Sequence, residues 1–303
     1  MKKIKVHFLN WEAYDVSIPG SSNDNIFLWL LKKNFDVVMD SQNPDILFYS
    51  LGMDNPHIHY KNCLKIYVNS EPGHYNNLEI YPRNERNFLS ISDCDYMISS
   101  YKSNIDKNFY MPVFLIWLYH HINVTKIIPS FDYLTKYREI NKKDKFCIFL
   151  HTNNTPHKRN VIFNKLNEYQ TVDTKETFPI PYGSLHKINS IKNFKFSFAM
   201  QNHFYKEHQT YNIEGLIDEK IIESFLSNTV PIYYGNEKID EVFNKNSFLN
   251  YHNYNDDDLF IEAIKEIDSN NFLLNEMLRQ PIIKNIDDLG INLLEEFLLK
   301  IIK

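Results

Sequence analysis

The sequence predicts an α/β protein built from open, parallel, Rossmann-like sheets, and three observations lead there. In the second half, an apolar run over 194–200 leads through a polar loop to a helical pattern at 217–228. The β-prone run Val230-Pro-Ile-Tyr-Tyr234 follows and is closed by Gly235, so the unit is strand, loop, helix, strand. Residues 3–69 give the order β, α, β, β, β with short connections. A chain of 303 residues is too long for one comfortable core and suits two α/β domains.

Taken in order, residues 3–9 alternate as a half-buried strand. Asn23 or Asp24 caps a helix running through Lys33, with Ile26, Phe27, Leu30 and Leu31 on one face. Strands follow at 37–39, 45–50 and 64–69, and no GxGxxG accompanies them, so a dinucleotide site is not supported. The third of these ends in Glu71-Pro72-Gly73-His74. A carboxylate at a strand exit, held by a forced turn, is placed as a general base would be, although a solvated turn residue reads the same way. A short strand at 92–99 and the apolar segment 110–115 complete this half.

The polar stretch 125–145 reads as an interdomain linker, or as a surface helix across 133–138, and divides the chain into domains 1–140 and 141–303. Beyond it come a buried strand at 146–150, a loop, and a helix over 160–169. Arg159 therefore stands at a helix N-terminus after a strand, where a cation beside free backbone amides suits a phosphate; Lys158 is beside it. In the helical pattern at 217–228, Ile217, Ile221, Ile222, Phe225 and Leu226 form one buried face, so Asp218, Glu219, Lys220 and Glu223 point elsewhere. Ligands of parallel sheets sit at the carboxyl ends of strands beside helix starts, which is where Asn202, Glu219 and Lys220 fall. After a strand end at 247–250, the run Asp256-Asp-Asp258 is first an N-cap with dipole compensation and only weakly a metal-binding Asp-x-Asp. An amphipathic helix over 286–302, without a basic face, packs back on the first domain.

Bulk properties exclude several functions. Lys plus Arg is 33 against 38 Asp plus Glu, a net charge of -5, so no general electrostatic attraction to nucleic acid is expected. The three cysteines lack CxxC spacing and read as core residues of a reducing compartment. The histidines lack His-Glu-x-x-His spacing, and only His74 and His203 fall near the expected site. The longest apolar run, 111–118, is far short of the roughly 20 residues of a membrane helix. With no signal-peptide pattern, the expected location is cytoplasmic, with at most peripheral contact at the inner membrane face.

Together, the segment 194–202, Asp218-Glu219-Lys220, Thr229-Val-Pro-Ile-Tyr-Tyr-Gly-Asn236 and Ser247-Phe248 resemble the donor-binding motif of the family-10 glycosyltransferases, the α1,3/α1,4-fucosyltransferases. Arg159, Glu71, Asp95-Tyr96 and Met111-Pro112 fall in the family's order. The resemblance implies a GT-B fold, two Rossmann-like domains facing a central cleft, with an N-terminal acceptor domain and a C-terminal GDP-sugar domain. It implies inverting transfer of L-fucose from GDP-fucose to a glycan hydroxyl, in an α1,3-type linkage to a surface polysaccharide or lipopolysaccharide unit containing N-acetylglucosamine. Glu71 becomes the base, Arg159 and Lys220 neutralise the diphosphate, Glu219 accepts from ribose or sugar hydroxyls, and Asn202 contacts donor sugar or phosphate. No metal or other cofactor is required. His74, Gln201, Leu216 and Asp218 are candidate sugar-pocket or acceptor residues. Gln201 replaces the usual Glu, Asp218 the usual Thr and Leu216 a common aromatic, so a different GDP-linked sugar is the alternative donor. A noncatalytic GDP-sugar or glycan-binding protein is the alternative of another class.

Overall fold

The computed structural model describes residues 1–9, 11, 21–50, 56–69, 73–74, 94–102, 106–151, 157–176, 185–201, 211–212 and 214–302. Along the chain these form β1 (Lys3–Leu9), α1 (Ile26–Asn34), β2 (Asp36–Met39), β3 (Ile46–Tyr49), β4 (Leu64–Asn69), β5 (Gly73–His74), β6 (Tyr96–Ser99), β7 (Asn108–Tyr110) and α2 (Phe114–Asn123). Then come β8 (Lys145–His151), α3 (His157–Tyr169), β9 (Val172–Glu176), α4 (Leu185–Ile191), β10 (Phe194–Met200), β11 (Tyr211–Asn212), α5 (Lys220–Leu226) and β12 (Val230–Tyr234). The last elements are β13 (Leu249–Asn250), α6 (Asp257–Ser269), α7 (Asn271–Arg279) and α8 (Ile291–Ile301).

Two compact units result, Met1–Val124 with His208–Leu216 and Gly290–Lys303, and Thr125–Glu207 with Ile217–Leu289. Each holds one parallel sheet, ordered β2-β1-β3-β4-β6-β7 in the first and β13-β12-β10-β8-β9 in the second. Strands covered on both faces read as continuous apolar runs, as in Ile46–Tyr49 and Val230–Tyr234, both buried throughout. Pro231 is tolerated in β12 because pairing with β13 begins only at Ile232.

In the first unit, Ile4, Val6 and Phe8 of β1 are buried, and Phe48 stacks with both Phe8 and α1's Phe27. The helix cap is Asn25, whose side chain accepts from Leu28 N at 2.9 Å. The alternatives Asn23 and Asp24 do not cap; Asp24 instead accepts from the Tyr119 hydroxyl at 2.7 Å. Helix α2 went unread in the sequence because its residues are buried nearly all round, leaving no 3.6-residue period. The C-terminal helix is α8 alone, since Gly290 at φ 72° breaks it from the turn before. It packs in this unit through Phe297 on Phe109 and Tyr96, and through Glu295, which accepts from Asn34 at 2.7 Å.

In the second unit, Phe146, Phe196, Ile232 and Tyr234 of the sheet pack with Ile162 of α3, Phe260 and Ile264 of α6 and Leu278 of α7. In a smaller cluster Ile148 and Phe194 meet Ile191 of α4. Cys94 and Cys147 are buried and Cys63 half-buried, all as free thiols.

The boundary expected at 140/141 lies instead at 124/125. The polar stretch is neither linker nor α-helix but a short 3-10 turn, Phe131–Thr135, docked inside the second unit. Leu134 is fully buried, and its carbonyl accepts from Ile282 N at 2.8 Å and Ile283 N at 3.1 Å. Arg138, 6% exposed, donates to Gln280 O at 2.8 Å, Met277 O at 3.2 Å and Phe225 O at 3.4 Å. These carbonyls lie at the C-terminal ends of α7 and α5, where a cation satisfies orphan acceptors and opposes the helix dipole. Burial draws the Arg138 pKa down to about 10, which still leaves it charged at neutral pH. Arg138→Ala should therefore destabilise the second unit by about 2–4 kcal/mol, measured by urea unfolding, with Arg138→Lys recovering only part of the loss.

Candidate active site

The strands β8, β10 and β12 run parallel, so His151, Met200 and Tyr234 end at one edge of the second sheet. Helix α3 follows β8 and carries Arg159 as its third residue; it begins at His157, three residues before the sequence pattern suggests. Helix α5 precedes β12 and begins at Lys220, three residues after the start of the helical pattern at Ile217, so residues 217–219 form an irregular segment before it. The short α5 is closed firmly. Asn228, at φ 52°, takes the left-handed position after it; Asn228 N donates to Phe225 O at 2.9 Å and Thr229 N to Ser224 O at 3.2 Å, a Schellman closure. The Thr229 hydroxyl also donates to Ser224 O at 2.9 Å and pairs with the Ser197 hydroxyl of β10 at 2.6 Å, fastening the helix end to the sheet.

Lys220 is the centre of the charged cluster. Its ammonium lies 2.5 Å from Asp218 Oδ2 and 3.7 Å from Glu219 Oε1, and its backbone N–H donates to Asp218 Oδ1 at 3.2 Å. Burial disfavours the ammonium, but the two carboxylates outweigh it, so the Lys220 pKa lies above the usual lysine value. Burial raises the Asp218 carboxyl, only partly offset by Lys220, whereas Lys220 and Lys187 together hold Glu219 below its ordinary value against its burial. Arg159 is 2% exposed, with its guanidinium carbon 5.0 Å from the centre of the Phe149 ring. Burial draws its pKa down to about 10, and the charge of Asp218 opposes that shift.

Two members of this cluster were missed in the sequence. Glu223 reads there as pointing away from the core, yet it is 1% exposed and forms an ion pair with Lys187 of α4. Burial raises the Glu223 carboxyl, with Lys187 opposing. A cavity of about 20 Å³ lies between Lys187, Glu223, Lys220, Ser197 and Ser224, room for roughly one water. Glu223 is three residues after Lys220 on the same helix and was visible; Lys187 was not, because α4 is a single short helix without a strong apolar period.

Of the expected site residues, Arg159, Asp218, Glu219 and Lys220 are thus brought together electrostatically within the second unit. Gln201 is buried directly after β10. A Cβ at Gly235 would stand 2.4 Å from its Oε1, so the glycine makes room for this side chain at the strand ends. Leu216 is buried and belongs to the first unit, behind Gly215, whose φ of 87° and carbonyl bond from the Tyr110 hydroxyl at 2.5 Å fix the segment. Glu71, Asn202 and His203 lie outside the described residues. His74 pairs through its backbone with Tyr211, and its side chain lies outside the described ones. Asp256 is the N-cap of α6, accepting from Leu259 N at 2.8 Å; Asp257 and Asp258 pair with Lys158 at 2.9 Å and Lys165 at 2.5 Å. The aspartate run is therefore capping and ion pairing, and Lys158 is held by Asp257 and Tyr251. Among the described residues no group of three or more His, Cys, Asp or Glu is placed to hold a metal ion, and no helix is long and apolar enough to cross a membrane.

Residues 140–279, which contain every member of the charged cluster, match the model of the C-terminal domain of glycosyltransferase family 10 (fucosyltransferase). The chain carries a family-10 glycosyltransferase domain. An α-(1,3)-fucosyltransferase of Helicobacter pylori is 28% identical over 149 residues, 48% of this chain and 29% of its own. A provisionally named fucosyltransferase of Acanthamoeba polyphaga mimivirus is 27% identical over 172 residues, 52% of this chain and 27% of its own. The chain thus aligns with under a third of the length of these two relatives. Crystal structures of α1,3-fucosyltransferase are similar over nearly the whole chain at 18% identity. One has a TM-score of 0.68, covering 99% of this chain and 90% of that one; another, with GDP-fucose, has 0.66, covering 100% and 91%. The fold around the family-10 domain is accordingly the GT-B one, with two Rossmann-like units.

The Lys187–Glu223 pair beneath the family-10 cluster gives a stability prediction with a pH signature. Lys187→Met removes the ammonium that favours the Glu223 carboxylate and should cost about 3 kcal/mol at neutral pH. Because burial already raises the folded pKa of Glu223, the carboxylate opposes folding above its unfolded value of roughly 4.3, so the variant's deficit should grow as pH rises from there. Urea unfolding at several pH values checks this, and Lys187→Met/Glu223→Leu should recover most of the loss and flatten the slope.

Proposed function

We propose that the protein is an inverting α1,3-type fucosyltransferase, taking L-fucose from GDP-fucose to a glycan hydroxyl. The observation that carries this is the pair of cations, buried Arg159 and half-buried Lys220, near the starts of α3 and α5 with Asp218 and Glu219 beside Lys220, at the carboxyl ends of a parallel sheet inside the family-10 domain. Loss of GDP from a sugar develops negative charge on the diphosphate, and cations fixed in a site of low water content stabilise it most effectively. Lys220, held protonated by its neighbours, and Arg159 meet that demand. Glu219 accepts from the hydroxyls of ribose or sugar, and Asn202 contacts the donor.

Glu71 acts as general base, removing the proton from the acceptor hydroxyl as its oxygen attacks the anomeric carbon from the side opposite GDP. The attack inverts that centre. No metal enters this scheme. The acceptor is an N-acetylglucosamine-containing unit of a surface polysaccharide or lipopolysaccharide, modified in the cytoplasm. The similar α1,3-fucosyltransferase structures with GDP-fucose and with GDP support the donor in this reading, and the similarity to the Helicobacter pylori α-(1,3)-fucosyltransferase supports the linkage.

The expected result of Glu71→Ala is a loss of transfer of at least about 10²-fold with GDP affinity retained, whereas Lys220→Ala and Arg159→Ala weaken GDP binding as well. Calorimetric titration with GDP beside a GDP-fucose transfer assay measures both. Full activity in Glu71→Ala removes the base assignment, and failure of the wild-type protein to bind GDP removes the donor reading.

A further inference from the structure

We propose that Asp218 is an internal competitor for the donor's diphosphate, occupying on Lys220 the hydrogen-bond donors that the diphosphate must take. This rests on the GDP-sugar reading above and adds to it a residue that sets donor affinity.

The contact has the form of a bound phosphate. One carboxylate oxygen, Oδ2, lies 2.5 Å from the Lys220 ammonium, while the other, Oδ1, accepts from the Lys220 backbone N–H at 3.2 Å. An anionic group with two oxygens thus takes both a side-chain cation and a main-chain donor of one residue, as a phosphate does at such places. Glu219, 3.7 Å from the same ammonium, engages it less closely and leaves the main-chain donor alone. Of the two carboxylates, Asp218 is therefore the one a diphosphate displaces.

Charge balance points the same way. Among the described residues the cluster holds three cations, Arg159, Lys187 and Lys220, against three carboxylates, Asp218, Glu219 and Glu223. With all six ionised it is neutral before any donor arrives. A diphosphate brought against a neutral, largely buried cluster meets carboxylates as well as cations, and like charges at such distances are costly. Withdrawal of Asp218 from Lys220 restores a net attraction. Lys187 and Glu223 are paired with each other, which leaves Asp218 as the carboxylate whose release frees a cation for the donor.

The test titrates GDP, and guanosine as a probe lacking phosphate, into the wild-type protein, Asp218→Asn and Asp218→Thr. Both variants keep an oxygen for the Lys220 N–H and remove the charge; thermal melting confirms that they fold. The expected result is a GDP Kd lowered by about tenfold in both, with guanosine binding unchanged. In Asp218→Asn/Lys220→Ala that gain should vanish, because the competition is for Lys220. GDP binding that is unchanged or weaker in both single variants, with wild-type binding intact, overturns the competitor role and leaves the donor reading standing. No GDP binding by the wild type or by either variant overturns the donor reading and this role with it.

Discussion

The structure of the second unit depends on how a buried lysine is kept charged. Lys220 opens α5 with its side chain largely out of water, and a lone ammonium there would shed its proton or unfold the segment. Asp218 and Glu219, the two residues before it in the chain, supply the compensation at almost no cost in loop entropy, because the partners are already close in sequence. This explains why residues 217–219 stay outside the helix. Drawing them into α5 would turn Asp218 around the axis, away from both the ammonium and the N–H it accepts from. The late helix start and the ion pair are one feature.

A helix of seven residues does not stand by itself, and α5 is held from its other end. The left-handed Asn228 and the Thr229–Ser197 hydroxyl pair tie its last turn to β10, and Arg138 reaches the Phe225 carbonyl from a segment far away in sequence. Since Arg138 also holds the carbonyls that end α7, one buried guanidinium sets the spacing of two helix ends around the sheet. Its positive charge is answered by carbonyl dipoles, so no carboxylate is drawn out of the cluster at the opposite end of α5 to serve it.

How much of this the sequence disclosed follows from the range of each interaction. The strands read directly because burial on both faces writes continuous apolar runs, and β1 was legible to the residue. That Arg159, Glu219 and Lys220 fall near one another was legible because they sit next to strand ends. The character of 125–145 was not, since its polarity is real and only the packing of Leu134 and Arg138 against residues about 140 positions later turns it into core. Lys187 failed for the same reason: it acts through a tertiary ion pair, and nothing in the residues around it announces the partner. The helix α2 failed differently, by being apolar on every side. For Asp218 the contact with Lys220 was not legible, because residue type alone does not say which neighbour a carboxylate serves.

Stability does not account for Lys187 and Glu223. A buried ion pair replaced by apolar groups of similar size is often neutral or better for folding, so the pair contributes little that an Ile and a Leu would not. What apolar residues would not supply is charge near Glu219, which feels Lys187 from one side and Lys220 from the other. With two cations acting on it, Glu219 remains ionised in a largely buried place, and an ionised carboxylate is an acceptor only, with no proton to donate. A hydroxyl-bearing ligand then meets it in one hydrogen-bonding sense. On this argument Lys187 is retained for the ionised state it favours in Glu219, and Glu223, one helical turn further along α5, pairs with Lys187 and holds its ammonium there.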